Sequence, residues 1–297
     1  MDQLRPDDSQ LRLIVEKKVT CPFVGTAVAT GRLPLLNAVT NPLARIEDVK
    51  ILGNSGNGDL GDVLAFFAGG NHSLMRGPND RLNQKVPPGL FSLEFPGSQG
   101  SHPGHSRILE ADPETLDSGE LNLENFQRLA SRAKDGVLKR SDVASFIAEN
   151  LHRDPHSKVF QASVAALLGH DLVQLVATAG ASLAEIFHGS HARSSDRTVE
   201  EKLTKLMGED NLFGSAGEFG LLFAFLANRP GAKQVDGEPA LLLEDVRLMF
   251  VDKRFPDGWD TWRKTRADWI ENTIKLIVSS AKAYLELRDK AAAKSAI

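Results

Sequence analysis

Cys21–Pro34, CPFVGTAVATGRLP, decides how the rest of the chain reads. Pro22 suits a first helical position, where its missing N–H has no intrahelical acceptor, and Gly31 supplies the left-handed residue that ends a helix. The spacing predicts a short helix from about Pro22 to Thr30 with Cys21 as its N-cap. A sulfur so placed faces unpaired backbone amides and the positive end of the helix dipole. Both favour the thiolate, the form that ligates metal or attacks an electrophile. The competing reading of a lone cysteine is a small buried hydrophobe.

On either side of this segment the chain reads as helix far more than strand. Apolar residues recur with helical period over Leu121–Ala130, Ser141–Leu151, Val199–Met207, Phe219–Ala227, Leu242–Val251 and Ala267–Leu287. Ser141-Asp142 opens SDVASFIAENL, and Asp268 heads DWIENTIKLIVSSAKAYLELR, both with residue types that accept from the first amides of a helix. The expected fold is all-α: one compact helical domain over residues 1–297 with long Pro/Gly-rich loops. Its core falls within about residues 15–270, followed by a long C-terminal helix at about 267–288 and a fraying Ala/Lys-rich tail at 289–297. The longest connection, Arg76–Gly104, has five prolines and a length that suits a lid or a substrate-channel wall.

Composition removes several classes of function. In 297 residues, 41% hydrophobic and 25% charged content is ordinary globular usage, which excludes a largely disordered, collagen-like or coiled-coil chain. A formal charge of -4 gives no global drive toward nucleic acid or an anionic membrane. The only cysteine is Cys21, so an internal disulfide framework and multi-cysteine metal clusters are excluded. No run approaches the roughly 18–20 uncharged apolar residues of a membrane span. The start MDQLRPDDSQLRLIVEKK lacks the features of a secretory signal, so the sequence as it stands reads as soluble and cytoplasmic, or as secreted if a signal was removed.

The remaining candidates differ in strength. Gly56-Asn57-Gly58-Asp59-Leu60-Gly61 follows a strand-like VKIL and matches a dinucleotide fingerprint in form. No βαβ alternation surrounds it, and a helix, a glycine-rich turn and another helix is the preferred reading. Ser131–Asp142 has the glycine of a calcium loop but lacks its ligand pattern and is discarded. Of the eight histidines, the local pairs His102/His105, His152/His156 and His188/His191 read as solvated or capping groups, with His188 kept as a competing haem ligand. Glu110-Ala111-Asp112 with Glu114 is either a solvated turn or an oxygen-rich site for a hard divalent cation. Glu218, in Ser215–Gly231 (SAGEFGLLFAFLANRPG), is an acid opening an apolar helix. There it either stabilises the helix dipole or, among apolar neighbours, shuttles protons near neutral pH.

In this order the segments resemble the haem-thiolate peroxidases, the family of fungal chloroperoxidase and the unspecific peroxygenases. CPFVGTAVATGRLP is similar to that family's Pro-Cys-Pro helix and tight turn, with Thr20 in place of the first proline. Glu110-Ala111-Asp112 stands where the family has Glu-His-Asp or Glu-Gly-Asp, GEFGLLFAFL looks like the helix of its acid-base glutamate, and LEDVRLMFVDKRFPDGW resembles its late helix and Gly-Trp ending. The likeness spans about residues 15–270 and implies a chloroperoxidase-type helical fold with haem b as cofactor. It implies that Cys21, followed by Pro22, is the proximal thiolate and that Glu218 is the distal acid-base catalyst. Glu110, the Ala111 carbonyl and Glu114 would hold Mg2+ or Mn2+ beside a haem propionate, although the family usually has serine where Glu114 stands. Ala111 also lacks the histidine that partners the glutamate in short members, and Asn211 stands where long members carry arginine, so Asn211, His72 or His105 would have to substitute. The implied activity is a peroxygenase or peroxidase that uses hydrogen peroxide to oxidise or oxygenate small hydrophobic or aromatic substrates, with Glu218 taking a proton from peroxide and returning it to the leaving oxygen. The alternatives are a histidine-ligated haem oxygenase, through His188, and a non-catalytic helical binding protein.

Overall fold

The computed structural model describes residues 8–19, 21–36, 42–65, 74–76, 82–93, 121–153 and 211–295. The chain runs through α1 (Asp8–Lys18), α2 (Pro22–Ala29), β1 (Leu43–Arg45), α3 (Ile46–Gly53), β2 (Leu74–Arg76), β3 (Leu82–Lys85) and β4 (Leu90–Ser92). It continues with α4 (Leu123–Ala130), β5 (Val137–Leu138), α5 (Arg140–Arg153), α6 (Asn211–Leu226), β6 (Lys233–Val235), β7 (Glu238–Leu242), α7 (Leu243–Phe250), a 3-10 turn (Trp259–Thr261) and α8 (Arg266–Ser295). The described residues are mostly helical. The centre of the packing is α8, which lies along both α5 and α6, while α2 packs between α1 and α7.

Local chemistry accounts for the helix ends. The Asn122 side chain accepts from the Asn125 amide at 3.0 Å and starts α4. At the head of α8, Thr265 Oγ1 accepts from the Asp268 amide at 3.0 Å and donates to the Asp268 carboxylate, a reciprocal cap. Asp142, expected to open α5, lies in its first turn and accepts from the Lys139 amide at 2.8 Å. α8 runs on to Ser295, so the expected fraying after Asp289 gives way to exposed helix. Alanine and lysine at these positions favour helix even without burial.

The expectation of an all-α fold is corrected by small antiparallel pairings. β1 pairs with β4, β2 with β3, and β5–β7–β6 form a three-stranded sheet. The last is built on two Asp-Gly turns, with Asp135 at φ 53 and Gly136 at φ 72, and Asp236 at φ 56 and Gly237 at φ 77. Positive φ at both central residues is the turn that matches strand twist, so each Asp-Gly reverses the chain in two residues. The first occupies the stretch discarded as a calcium loop. β3 and β4 also place strands within Arg76–Gly104, which was expected to be irregular, and β2 ends at its first residue.

The strand-like VKIL belongs to α3, and Gly56 and Gly58 bring the following turn against the segment before α8. A Cβ on Gly56 would lie 2.0 Å from the Trp262 carbonyl oxygen, and one on Gly58 would lie 2.5 Å from that of Lys264. The Asp59 amide donates to the Lys264 carbonyl at 3.0 Å. These glycines permit close backbone packing, and α3 stands where a dinucleotide fingerprint needs a strand before its glycines.

Candidate haem-thiolate site

The helix expected at Cys21 forms as read. Cys21 is the N-cap of α2 in extended conformation (φ -82, ψ 116), Pro22 follows, and the sulfur does not serve as the capping acceptor. The thiol is half-buried and packs on the hydrophobic core, while Pro22–Val28 are buried. At the other end Thr30 is the C-cap and Gly31 takes φ 70. The Gly31 amide donates to the Val28 carbonyl at 3.0 Å and the Arg32 amide to that of Ala27 at 2.9 Å, the paired bonds of a glycine-terminated helix. Two further contacts fix α2. Buried Thr26 Oγ1 donates to the Met249 carbonyl at 3.0 Å, and Arg32 forms a two-pronged bridge to Asp260 at 2.8 and 2.6 Å. That bridge raises the Arg32 pKa and lowers that of Asp260 by direct hydrogen bonding.

Glu218 is buried at 8% exposure, but it does not open a helix. α6 begins at Asn211 and carries Glu218 about two turns inside, so the expected dipole stabilisation does not operate. Gly217 and Gly220 lie inside this helix, each at a propensity cost of about 1 kcal/mol against alanine. Close packing on α8 offsets that cost. A Cβ on Gly220 would meet Thr273 Oγ1 at 2.1 Å, and Trp269 Nε1 donates to the Gly217 carbonyl at 3.1 Å.

These contacts assign the sides of α6. At about 100° per residue, Gly217 and Gly220 share the side that meets α8. Phe219 and Phe223 point to α5, the first edge-on to Phe146 at 6.2 Å and the second under the Arg140 guanidinium at 5.9 Å. The remaining side presents Glu218, Leu221, Leu222 and Phe225, all buried. Phe225 lies about two turns along the stripe from Glu218 and stacks on Phe23 of α2 at 4.9 Å. The side of α6 that carries the acid is therefore also the side that touches the helix capped by Cys21.

Behind this contact lies an aromatic cluster that sequence reasoning missed. Trp259 approaches Phe225, Phe255 and Trp262 at 5.5, 4.4 and 5.7 Å. Lys264, 0% exposed, is embedded in it, with Nζ 4.3 and 4.6 Å from the Trp259 and Trp262 ring centres. Its ammonium donates to the carbonyls of Trp259 and, at 3.0 Å, Trp262. Burial pushes this amine down to about 8, against an opposing pull from Asp260. The indoles were visible in WDTWRK, but a lysine inside was not, because lysine is almost never fully buried. A cleft of about 320 Å³ on the outer side of the cluster runs from Thr30 and Arg32 to Arg254 and Thr261.

Glu110, Ala111 and Glu114 lie outside the described residues, as do His72, His105, His188 and the helix expected over Val199–Met207. Among the described residues, no group of three or more His, Cys, Asp and Glu side chains could hold a metal ion. His152, in the last turn of α5, is exposed and faces Tyr284 edge-on at 6.1 Å. No described helix is long and apolar enough to cross a membrane. Asn211 is the first residue of α6. Comparison with protein-family models, with curated proteins and with solved structures finds no match.

Proposed function

We propose that the chain is a haem-thiolate peroxygenase or peroxidase that uses hydrogen peroxide on small hydrophobic or aromatic substrates. The observation that carries this reading is the Phe23–Phe225 stack, which joins the helix capped by Cys21 to the side of α6 that bears Glu218. The residues present suit haem at both ends of such a site. Cys21 offers a sulfur at a helix N-terminus, not engaged as a cap acceptor, where the backbone favours thiolate. Glu218, 8% exposed, shares one side of α6 with buried Leu221, Leu222 and Phe225.

In this reading Cys21 would hold the haem iron through its sulfur, with Pro22 fixing the chain direction after it. Haem b, when bound, supplies the redox-active iron at which peroxide is cleaved and substrate oxidised. Glu218 takes the peroxide proton on a carboxylate oxygen and returns it to the departing oxygen, so that water leaves. The buried aliphatic and aromatic residues beside it favour an apolar substrate. Mg2+ or Mn2+ held by Glu110, the Ala111 carbonyl and Glu114 remains part of the proposal.

The test is haem titration of the purified chain followed by peroxide-driven oxidation of an aromatic probe. Glu218→Gln is expected to bind haem as the wild type does while turnover falls on the order of 100-fold or more. Undiminished turnover in that variant removes Glu218 from the reaction, and the absence of a Soret band in the wild type after haem addition removes the proposal.

A further inference from the structure

We propose that Trp269 is a positioning residue for Glu218. This rests on the haem-thiolate reading and extends it to an α8 residue outside the proposed haem and cation sites. The Trp269 indole N–H donates to the Gly217 carbonyl at 3.1 Å, with Trp269 5% exposed. That carbonyl shares a rigid peptide plane with the Glu218 amide, so whatever holds it also sets the backbone from which the Glu218 side chain springs. The bond adds to the one the helix ladder gives the carbonyl, and a carbonyl oxygen can accept both.

A second contact acts on the same turn. Gly220 lies so close to Thr273 that a Cβ would stand 2.1 Å from its hydroxyl oxygen, and the next turn of α8 thereby blocks rotation of α6 in one sense. Further along, Trp262 Nε1 donates to the Phe225 carbonyl at 2.8 Å and holds the far end of the helix. Glycines at 214, 217 and 220 leave α6 short of side-chain ridges to define its rotation, so the indole struts and the Gly220–Thr273 contact do that work. A few degrees of rotation about the helix axis moves a carboxylate at the end of a glutamate side chain by a substantial fraction of an ångström. Proton transfer depends on hydrogen-bond reach of that order.

The experiment compares Trp269→Phe with Trp262→Phe in the full chain, with and without haem. Two properties are read: the carboxyl 13C titration midpoint of Glu218 in the haem-free protein, assigned by its loss in Glu218→Gln, and the pH profile of peroxide turnover in the haem-loaded protein. Trp269→Phe is expected to move the Glu218 midpoint and the acid limb of the profile together. It should lower kcat on the order of tenfold, with KM for the aromatic probe within about twofold. Trp262→Phe, whose bond lies about two turns away, should lower thermal stability and leave the midpoint in place. If Trp269→Phe shifts neither midpoint nor profile and only lowers the melting temperature, the indole is structural and the proposal falls. Should Trp269→Phe fail to fold, the benzothiophene analogue of tryptophan at position 269, which keeps the bicyclic outline and lacks the N–H, gives the same readings. A shifted Glu218 midpoint in a chain that takes up no haem would overturn the functional reading and leave the positioning role standing. An unshifted midpoint in a chain that binds haem through Cys21 would do the reverse.

Discussion

The two ends of α2 are built on opposite principles. At its C-terminal end, Gly31 closes the helix, Arg32 clasps Asp260, and buried Thr26 holds the Met249 carbonyl from the preceding turn. Asp260 belongs to the 3-10 turn that Lys264 ties down from inside the Trp259–Trp262 cluster. At the N-terminal end Cys21 provides the cap position without using its sulfur to cap. The described side-chain anchors of α2 lie toward its C-terminal end, and a half-buried sulfur stands at its N-cap.

Interventions at the anchored end should cost stability in a graded way. The largest effect follows from Lys264. Burial holds its folded pKa at about 8, below the ordinary 10.5, so between these values the unfolded chain binds a proton that the folded chain does not, and stability rises with pH. Below about pH 8 the full penalty of the buried charge is present. Urea midpoints at pH 7.5, 8.5 and 9.5 should climb in the wild type relative to Lys264→Met, on the order of 2 kcal/mol across that window, and parallel profiles would show that Lys264 does not titrate there.

Thr26→Val removes the hydroxyl from a fully buried site and leaves the Met249 carbonyl without this donor, at a cost of about 1–3 kcal/mol in equilibrium unfolding. A change under 0.5 kcal/mol would show that α2 is anchored elsewhere. Arg32→Ala breaks a bridge whose side chains are 35% and 53% exposed, so its effect should be below about 1 kcal/mol and shrink in high salt. Cys21→Ser should leave stability unchanged or slightly raised, since serine is a preferred N-cap and the sulfur is not capping. A loss above 1 kcal/mol there would mean that Cys21 is a packing residue.

The difference between the two ends also marks what could be read from the sequence. α2, its N-cap and its glycine stop follow from rules that act within a few residues, and Cys21-Pro22 and Gly31 carry them openly. The starts of α5 and α8 were legible to within a turn from Asp142 and Asp268 for the same reason, although α5 begins at Arg140 and Thr265 caps α8. The register of α6 was not. Gly217 and Gly220 carry helix-breaking propensity until α8 is seen packed against them, which is tertiary override of propensity. The two Asp-Gly pairs carried a hairpin signal that a search for longer alternating runs passed over, because the paired segments are short: a single bridge and a two-residue strand at the first, strands of three and five residues at the second. Buried Lys264 had no sequence signal, since its site is assembled from the aromatic side chains and carbonyls around it. Glu218 was identified as the acid for its apolar neighbours. The structure buries it, but inside α6, about two turns beyond the helix start assumed for it.

Thiolate ligation of haem by Cys21 is tested most directly by the carbon monoxide difference spectrum of the reduced, haem-loaded chain, wild type beside Cys21→Ser. A red-shifted band near that of cytochromes P450, present in the wild type and lost in Cys21→Ser, is the expected result. A histidine-type band that is identical in both proteins would contradict it.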